Sequence, residues 1–233
     1  MSRASMVRIA GSGLAAGAAG LTTYLLAVRP WHLRWGATEE EIDRVMPLDD
    51  RVQHPTYVTN RAVTVAARPE EIWPWLAQMG ESPRGGFYSY EWIERLMMMR
   101  VLNAERIIPQ YQNLRAGDVL DRSGNIEVKA LEPGHWLVLG PPDTKGAWGA
   151  STWCLALYPI DEEGTRLVSR VRARIDRWTP FSVALLLMLD PGQFLMERKM
   201  LLGIKRRAEA LASDRKAKTE VFENVLLDAM KYA

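Results

Sequence analysis

Apolar residues recur at helical spacing near the end of the chain. The residues on this face are separated by three, four or seven positions, and they are Phe194, Leu201, Ile204, Ala208 and Leu211. Such spacing predicts a helix with one apolar face. Asp190 and Pro191 mark its predicted start, because Asp caps helices well and Pro is tolerated at the first position. The pattern therefore predicts a long helix over residues 190–211 that packs against another layer.

Strand-like runs in the middle of the chain provide that layer. A first strand is predicted at residues 61–66, two short helices follow from Pro69 and Ser89, and five further runs come in quick succession. These runs cover residues 118–122, 125–132, 135–140, 151–160 and 165–175. Turn residues separate them, so neighbouring strands should pair antiparallel. We expect an α+β fold in which a curved antiparallel sheet of about six strands is covered by the terminal helix.

The last of these strands alternates clearly. Leu167, Val171 and Ile175 fall on one face, and four arginines fall on the other, namely Arg166, Arg170, Arg172 and Arg174. Such alternation predicts a sheet with one buried face and one solvated face.

A long uncharged segment lies near the start of the chain. Residues 9–28 carry no charge and are flanked by arginines on both sides. Twenty helical residues span roughly 30 Å, the thickness of a bilayer core. We therefore expect a single-pass membrane anchor that contacts lipid, with Trp31 and Trp35 at the interface. A secretory signal that is cleaved to release the protein is the alternative. The basic residues are balanced across the segment, so its orientation stays open.

The same patterns divide the chain into four parts. Residues 1–30 form the anchor, 31–60 a connecting arm, 61–212 the folded domain and 213–233 a tail. Thr38 and Glu41 predict a capping box in the arm. Residues 181–189 are apolar except for Ser182 and are too short to span a membrane. They are expected to form a buried helical segment, with a lid or a lipid-contacting surface as the alternative.

The composition of the chain argues against several classes of function. A net charge of +2, with basic residues spread along the chain, gives no argument for nucleic acid as a partner. The single cysteine, Cys154, excludes an internal disulfide and is expected to lie in the core. Three histidines lack any telling spacing to other ligands or nucleophiles, so no metal site, cofactor or catalytic triad is predicted.

Several segments resemble the SRPBCC superfamily, the START-like helix-grip proteins that include polyketide cyclase/dehydratase relatives. They are RWGAT at 34–38, PEEIWPWLAQMG at 69–80, GFYSYEW at 86–92 and MERKMLLGIK at 196–205. The resemblance covers residues 31–212. It implies a helix-grip fold with a hydrophobic cavity between the sheet and the C-terminal helix, and a lipid, sterol, polyketide or other apolar ligand. Only some members are enzymes, and the resemblance supplies no catalytic residues.

Large aromatic residues are the best candidates for lining such a cavity. The predicted ligand-binding set is Trp73, Trp75, Tyr88, Tyr90, Trp92, Trp153, Glu197 and Met200. The simpler interpretation is that the rings only fill the core and that Glu197 lies with Arg198 on a solvated helix face. The sequence thus favours a membrane-tethered domain that binds or transfers an apolar, lipid-like or isoprenoid-like molecule. A cyclase/dehydratase-type enzyme and a non-catalytic interaction module are the alternatives, and whether any reaction occurs stays open.

Overall fold

In the described part of the chain, five antiparallel strands form one sheet, and a long C-terminal helix lies across it. The computed structural model describes residues 19–142, 150–174 and 179–231. The strands are β1 (Tyr57–Val65), β2 (Glu127–Glu132), β3 (Trp136–Gly140), β4 (Ser151–Pro159) and β5 (Thr165–Ala173), in the sheet order β1-β5-β4-β3-β2. The α-helices are α1 (Arg29–Leu33), α2 (Glu39–Asp43), α3 (Pro69–Ala77), α4 (Glu91–Leu96) and α5 (Pro180–Lys231). Single 3-10 turns occupy Asp49–Arg51 and Pro109–Tyr111.

This architecture confirms the α+β prediction, with five strands among the described residues instead of about six. The run at 118–122 is not a strand in the sheet, and Val119 makes only an isolated bridge to Glu127. Its strand pattern is interrupted because the Asp121 carboxylate accepts hydrogen bonds from the backbone N–H groups of Asn125 and Ile126. Such local bonds favour a turn over a strand.

The main core lies between the inner face of the sheet and α5. Apolar side chains of β1, β3, β4 and β5 meet α5 at Met200, Leu201, Ile204 and Ala208. Gly203 lets α5 approach closely, because a Cβ at this position would lie 2.7 Å from the Tyr88 carbonyl oxygen. Gly192, in the same helix, has open space around it.

The predicted start of the terminal helix was wrong. α5 begins at Pro180 and continues without a break through Pro191 to Lys231. Asp190 does not cap a helix terminus. Its carboxylate instead accepts hydrogen bonds from Arg29 and Tyr57. Pro180 takes the role of the helix-starting proline, and residues 213–231 extend the helix well beyond the predicted end.

The outer face of the sheet is covered by the arm, so the predicted solvated face was wrong. Arg170 is 3% exposed and donates to Asn60, to Asp49 and to backbone carbonyls at Glu41, Ile42 and Arg44. Arg166 forms two hydrogen bonds of 2.7 and 2.8 Å with the Glu41 carboxylate. The predicted capping box between Thr38 and Glu41 is confirmed. Carbonyls at the end of α2 thus satisfy arginines that alternation alone assigns to solvent.

The chain enters the described region as a helix. Residues 19–33 are helical, with a π-helical turn at Tyr24–Val28 before α1. Residues 1–18 lie outside the described residues, and most of the predicted anchor falls on them. Within the described ranges, no helix combines the length and apolar character needed to cross a membrane.

Candidate functional site

The predicted site residues do not form one group. Trp75 and Tyr88 pack edge to face with ring centroids 6.0 Å apart, and the Tyr88 hydroxyl donates to the Trp75 carbonyl oxygen at 3.0 Å. Both are buried in the main core, as is Met200. Burial raises the pKa of Tyr88, so its hydroxyl stays protonated. These three residues hold α3, α5 and the intervening loop together.

Three further aromatics lie at the surface. Trp92 is 65% exposed, and Tyr90 is half-buried beneath the Lys199 ammonium, 5.6 Å from the ring centroid. Trp73 is half-buried and lines an open cleft of about 560 Å³, together with Pro133, His135 and other residues at the outer end of α3. The cleft opens to solvent and does not lie between the sheet and α5.

Trp153 and Glu197 are the members of the set that face a polar region of the interior. Trp153, in the middle strand β4, donates from Nε1 to the Ser169 hydroxyl at 2.9 Å. Ser169 is opposite Arg61 in the β1–β5 register, and Arg61 is paired with Glu197 of α5. The sheet face beneath α5 is therefore apolar towards Val65 and polar towards Tyr57.

Arg61 and Glu197 form a buried ion pair between the sheet and the helix. Arg61 donates from Nη1 to Glu197 Oε2, and the two side chains are 0% and 4% exposed. Arg61 Nε also donates to the His32 carbonyl oxygen at 3.0 Å, and its guanidinium lies 5.3 Å from the Phe194 ring centroid. The prediction of a solvated face for Glu197 was wrong, while Arg198 is exposed and lies over the Trp35 ring.

Burial dominates the ionisation of Glu197. Removal from water raises the pKa of its carboxyl, although the nearby Arg61 charge and hydrogen bonding from Ser169 and Arg61 oppose this rise. Glu197 therefore takes up a proton more readily than an exposed glutamate. A carboxyl with a raised pKa in the interior can act as a hydrogen-bond donor as well as an acceptor.

The network continues from this pair towards the start of α5. Gln193 donates to Glu197 Oε2 at 3.1 Å and accepts from Arg61 at 3.2 Å. The Tyr57 hydroxyl lies 2.7 Å from Gln193 Oε1 and 2.8 Å from Asp190 Oδ1. Burial and the hydrogen bond to Asp190 raise the pKa of Tyr57, so it remains a neutral donor. Five polar side chains thus connect β1 with two successive turns of α5.

Arg29 and His32 complete the network from the N-terminal side. Arg29 Nε donates to Asp190 Oδ2 at 2.8 Å, and His32 Nε2 lies 3.9 Å from the same oxygen. Burial lowers the pKa of His32 despite the opposing charge of Asp190, which favours the neutral ring. The Tyr24 hydroxyl lies 3.2 Å from His32 Nε2.

Several buried polar atoms of this region lack a hydrogen-bond partner among the described residues. They are Thr59 Oγ1, Arg61 Nη2, Glu197 Oε1 and His32 Nδ1. Thr59 and Arg61 are two positions apart on β1, so both face α5, as Glu197 faces them. Buried polar groups in proteins are nearly always hydrogen-bonded, often to ordered water or a bound molecule. The unmet donors and acceptors therefore mark this interior as the candidate binding site.

Sequence reasoning missed most of this site. Tyr57, Thr59 and Arg61 occupy every second position of β1, which is a polar stripe on the inner face of a strand. The signal was lost because the first strand was predicted to begin at residue 61, four residues late. Had β1 been started at Tyr57, its alternation would have identified the stripe.

No metal site is evident in the part of the chain that the structure describes, where no three His, Cys, Asp or Glu side chains are grouped as ligands. Cys154 is buried on the outer side of the sheet, and burial raises the pKa of its thiol to about 12. It is therefore an unreactive core residue.

Comparison with known proteins gives similarity of fold only. The sequence matches no protein-family model, and a search of curated proteins finds no match. Similar solved structures include a protein from Thermobifida fusca, with 14% identity and a TM-score of 0.42 over 66% of this chain and 94% of that one. The Zhui aromatase/cyclase from Streptomyces sp. R1128 has 15% identity and a TM-score of 0.37, over 66% of this chain and 93% of its own. The di-domain ARO/CYC StfQ from the steffimycin biosynthetic pathway has 18% identity and a TM-score of 0.36, over 69% and 52%. At these scores the similarities carry no argument about function.

Proposed function

We propose that the chain binds a small, largely apolar molecule with one polar end in the interior between the sheet and α5. The observation that carries this proposal is that Thr59 Oγ1 and Arg61 Nη2, two positions apart on the inner face of β1 and beside the Glu197 carboxylate, are buried without a hydrogen-bond partner among the described residues. A filled structural core would normally leave no such set, because each unmet buried polar group costs about 1–3 kcal/mol.

The chemistry of these atoms narrows the polar end of the ligand. Arg61 Nη2 can donate to a carbonyl or hydroxyl oxygen, and Glu197 Oε1 can accept from a hydroxyl. The Thr59 hydroxyl can donate or accept a hydrogen bond. The surrounding side chains, Val63, Leu155 and Leu201 among them, are apolar. An alcohol or ketone on a hydrocarbon body, such as a lipid or isoprenoid compound, suits both parts of this interior.

Mass spectrometry of organic extracts from the full chain, purified in detergent, tests this proposal. A stoichiometric apolar compound is expected in the native protein and should be absent after unfolding and refolding in clean buffer. An empty protein that also fails to take up an environment-sensitive hydrophobic dye would favour the interaction-module alternative.

Thr59→Val separates binding from structure. The change removes a buried hydroxyl that has no partner in the described protein, so the fold should be at least as stable as before. Ligand retention should fall by roughly fivefold if the hydroxyl binds the polar end of the ligand. Thr64→Val is the matched control, since Thr64 lies on the same strand but faces outwards to Arg166. Equal ligand retention in both variants would contradict the proposed position of the polar end.

A second candidate function is catalysis in the same interior, which the raised pKa of Glu197 favours. A buried carboxyl whose pKa lies above its ordinary value can act as a general acid or base on a ligand carbonyl or hydroxyl. Glu197→Gln keeps the size of the side chain and removes this proton transfer. If the protein is an enzyme, the variant should co-purify with a different compound from the wild type, namely the unconverted substrate. The same compound in both would support a binding protein.

The predicted membrane anchor at residues 1–30 remains part of the proposal. Tethering would place the binding interior close to a source of apolar molecules. Sedimentation of the full chain with vesicles, before and after alkaline carbonate washing, tests whether it is held in the membrane.

A further inference from the structure

The helix that ends with α1 and the beginning of α5 extend towards the same end of the molecule. Arg29 contacts Asp190, the rings of Trp31 and His32 lie 5.4 and 5.3 Å from that of Phe194, and Arg198 lies over Trp35. The contacted residue numbers rise together along both segments, so the two run in the same direction. Residues 19–28 and 180–189, which precede these contacts, therefore lie at one end.

The apolar side chains that the structure describes at this end are exposed. Each ten-residue segment is helical and is roughly 15 Å long. Leu21, Leu25, Leu26 and Val28 are between 39% and 76% exposed, Trp31 is 57% exposed and Leu189 is 53% exposed. Residues 181–189 contain no charged residue in sequence, and neither do residues 9–28. We call the described exposed residues Leu21, Leu25, Leu26, Val28, Trp31 and Leu189 the apolar end.

Cationic side chains lie beyond the apolar end along both segments. Arg34, Arg198 and Lys199 are exposed just beyond it, where lipid headgroups would lie. Asp190 lies within the apolar end, about 12 Å before Arg198 along α5, but its carboxylate is fully buried and is neutralised by Arg29. Cations and tryptophan at the boundary of an apolar surface are typical of a membrane interface. Residues 9–18 are likewise uncharged in sequence, which favours lipid over a second protein as the occupant.

We propose that the first turns of α5, up to Leu189, form a second membrane contact beside the N-terminal segment. The domain would then contact the bilayer through two adjacent helices instead of one. The buried contact of Arg29 with Asp190 fixes the two helices to each other at the base of the apolar end. This inference rests on the proposed membrane anchor and adds the position of the domain relative to the lipid.

Site-specific quenching in the full chain tests the inference. Because the sequence has one cysteine, Cys154→Ala gives a background for the single variants Leu26→Cys, Leu189→Cys and Phe222→Cys. Each variant carries a bimane label and is reconstituted in phosphatidylcholine/phosphatidylglycerol vesicles with or without doxyl-labelled lipid. Phe222 is the matched control, because it is a 69% exposed apolar residue on α5, roughly 50 Å along the helix from Leu189.

Doxyl lipid should quench the label at positions 26 and 189 and leave position 222 unchanged. Quenching at 26 without quenching at 189 would overturn the second contact while leaving the anchor in place. Absence of quenching at all three positions would overturn both, and equal quenching at all three would indicate nonspecific adsorption and overturn the proposed orientation. Unchanged thermal unfolding of each variant shows that the labels report on the native fold.

Discussion

Replacement of Arg61 by methionine should lower the free energy of unfolding of this protein more than almost any other conservative substitution. Arg61 is fully buried and pairs with Glu197, whose side chain is 4% exposed. Arg61→Met fills similar space but leaves Glu197 as a buried charge without its partner. Such a loss costs about 3–5 kcal/mol. For a chain of this size it should lower the unfolding midpoint by roughly 6–20 °C.

The destabilisation should also depend on pH. Burial already raises the pKa of Glu197, and loss of the opposing Arg61 charge raises it further. A group whose pKa is higher in the folded state than in the unfolded state loses stability as pH rises through that range. Arg61→Met should therefore be more destabilising at about pH 8 than at about pH 5, because the fraction of Glu197 that carries a buried charge rises with pH.

Urea unfolding of the detergent-solubilised full chain, followed by tryptophan fluorescence at both pH values, measures these effects. The double variant Arg61→Met/Glu197→Gln is the control, and it should recover most of the lost stability because no buried charge remains. If Arg61→Met loses less than about 1 kcal/mol of unfolding free energy at high pH, the loss is that of a solvent-exposed ion pair. Such a result would refute a buried Arg61–Glu197 pair. A loss that does not change with pH would refute the role assigned to Glu197.

Three further predictions concern the rest of the fold. Burial alone would raise the pKa of Glu41, but hydrogen bonds from Arg166 and from the Thr38 N–H outweigh it and lower the pKa. Glu41→Gln should therefore destabilise the protein at neutral pH, and the difference from wild type should shrink as pH falls below about 4.5, as measured by urea unfolding. Gly203→Ala should cost about 1–3 kcal/mol because its Cβ would meet a backbone carbonyl at 2.7 Å, whereas Gly192→Ala in the same helix should stabilise by about 0.5–1 kcal/mol in thermal unfolding. Burial and a neighbouring carboxylate raise the pKa of Glu94 to about 7, so Glu94→Gln should gain stability relative to wild type between about pH 5 and pH 8.

The element types were predictable because they depend on local pattern. Helical spacing identified α5, turn residues separated β2, β3, β4 and β5, and the Thr38 capping box was correct in detail. The errors came where a side chain satisfies a distant group. Asp190 has the sequence of a helix cap, yet its carboxylate pairs with Arg29, 161 positions away in the chain. Local pattern carries no information about such partners.

Burial of charge on the sheet was missed for the same reason. Arg170 alternates with apolar neighbours and so was assigned to solvent, but five acceptors from the arm and β1 surround its guanidinium. Arg61 was missed on the inner face, since its partner Glu197 lies 136 positions away. Among the predicted ligand-binding residues, the aromatic rings spread over core and surface because ring size alone does not decide which layer a residue joins.

The two buried arginines also differ in a way that bears on function. Each of the five N–H groups of the Arg170 guanidinium has an acceptor, so this arginine holds the arm on the sheet and has no donor left for a ligand. Arg61 uses Nε and Nη1 within the described protein but leaves buried Nη2 without a partner. Both arginines are costly to bury, so a purely structural role would favour the fully bonded arrangement for each. The unmet donor on Arg61 is therefore the feature that distinguishes a binding interior from a second structural contact, and Thr59→Val, which leaves Arg61 in place, tests for a ligand at the adjacent position.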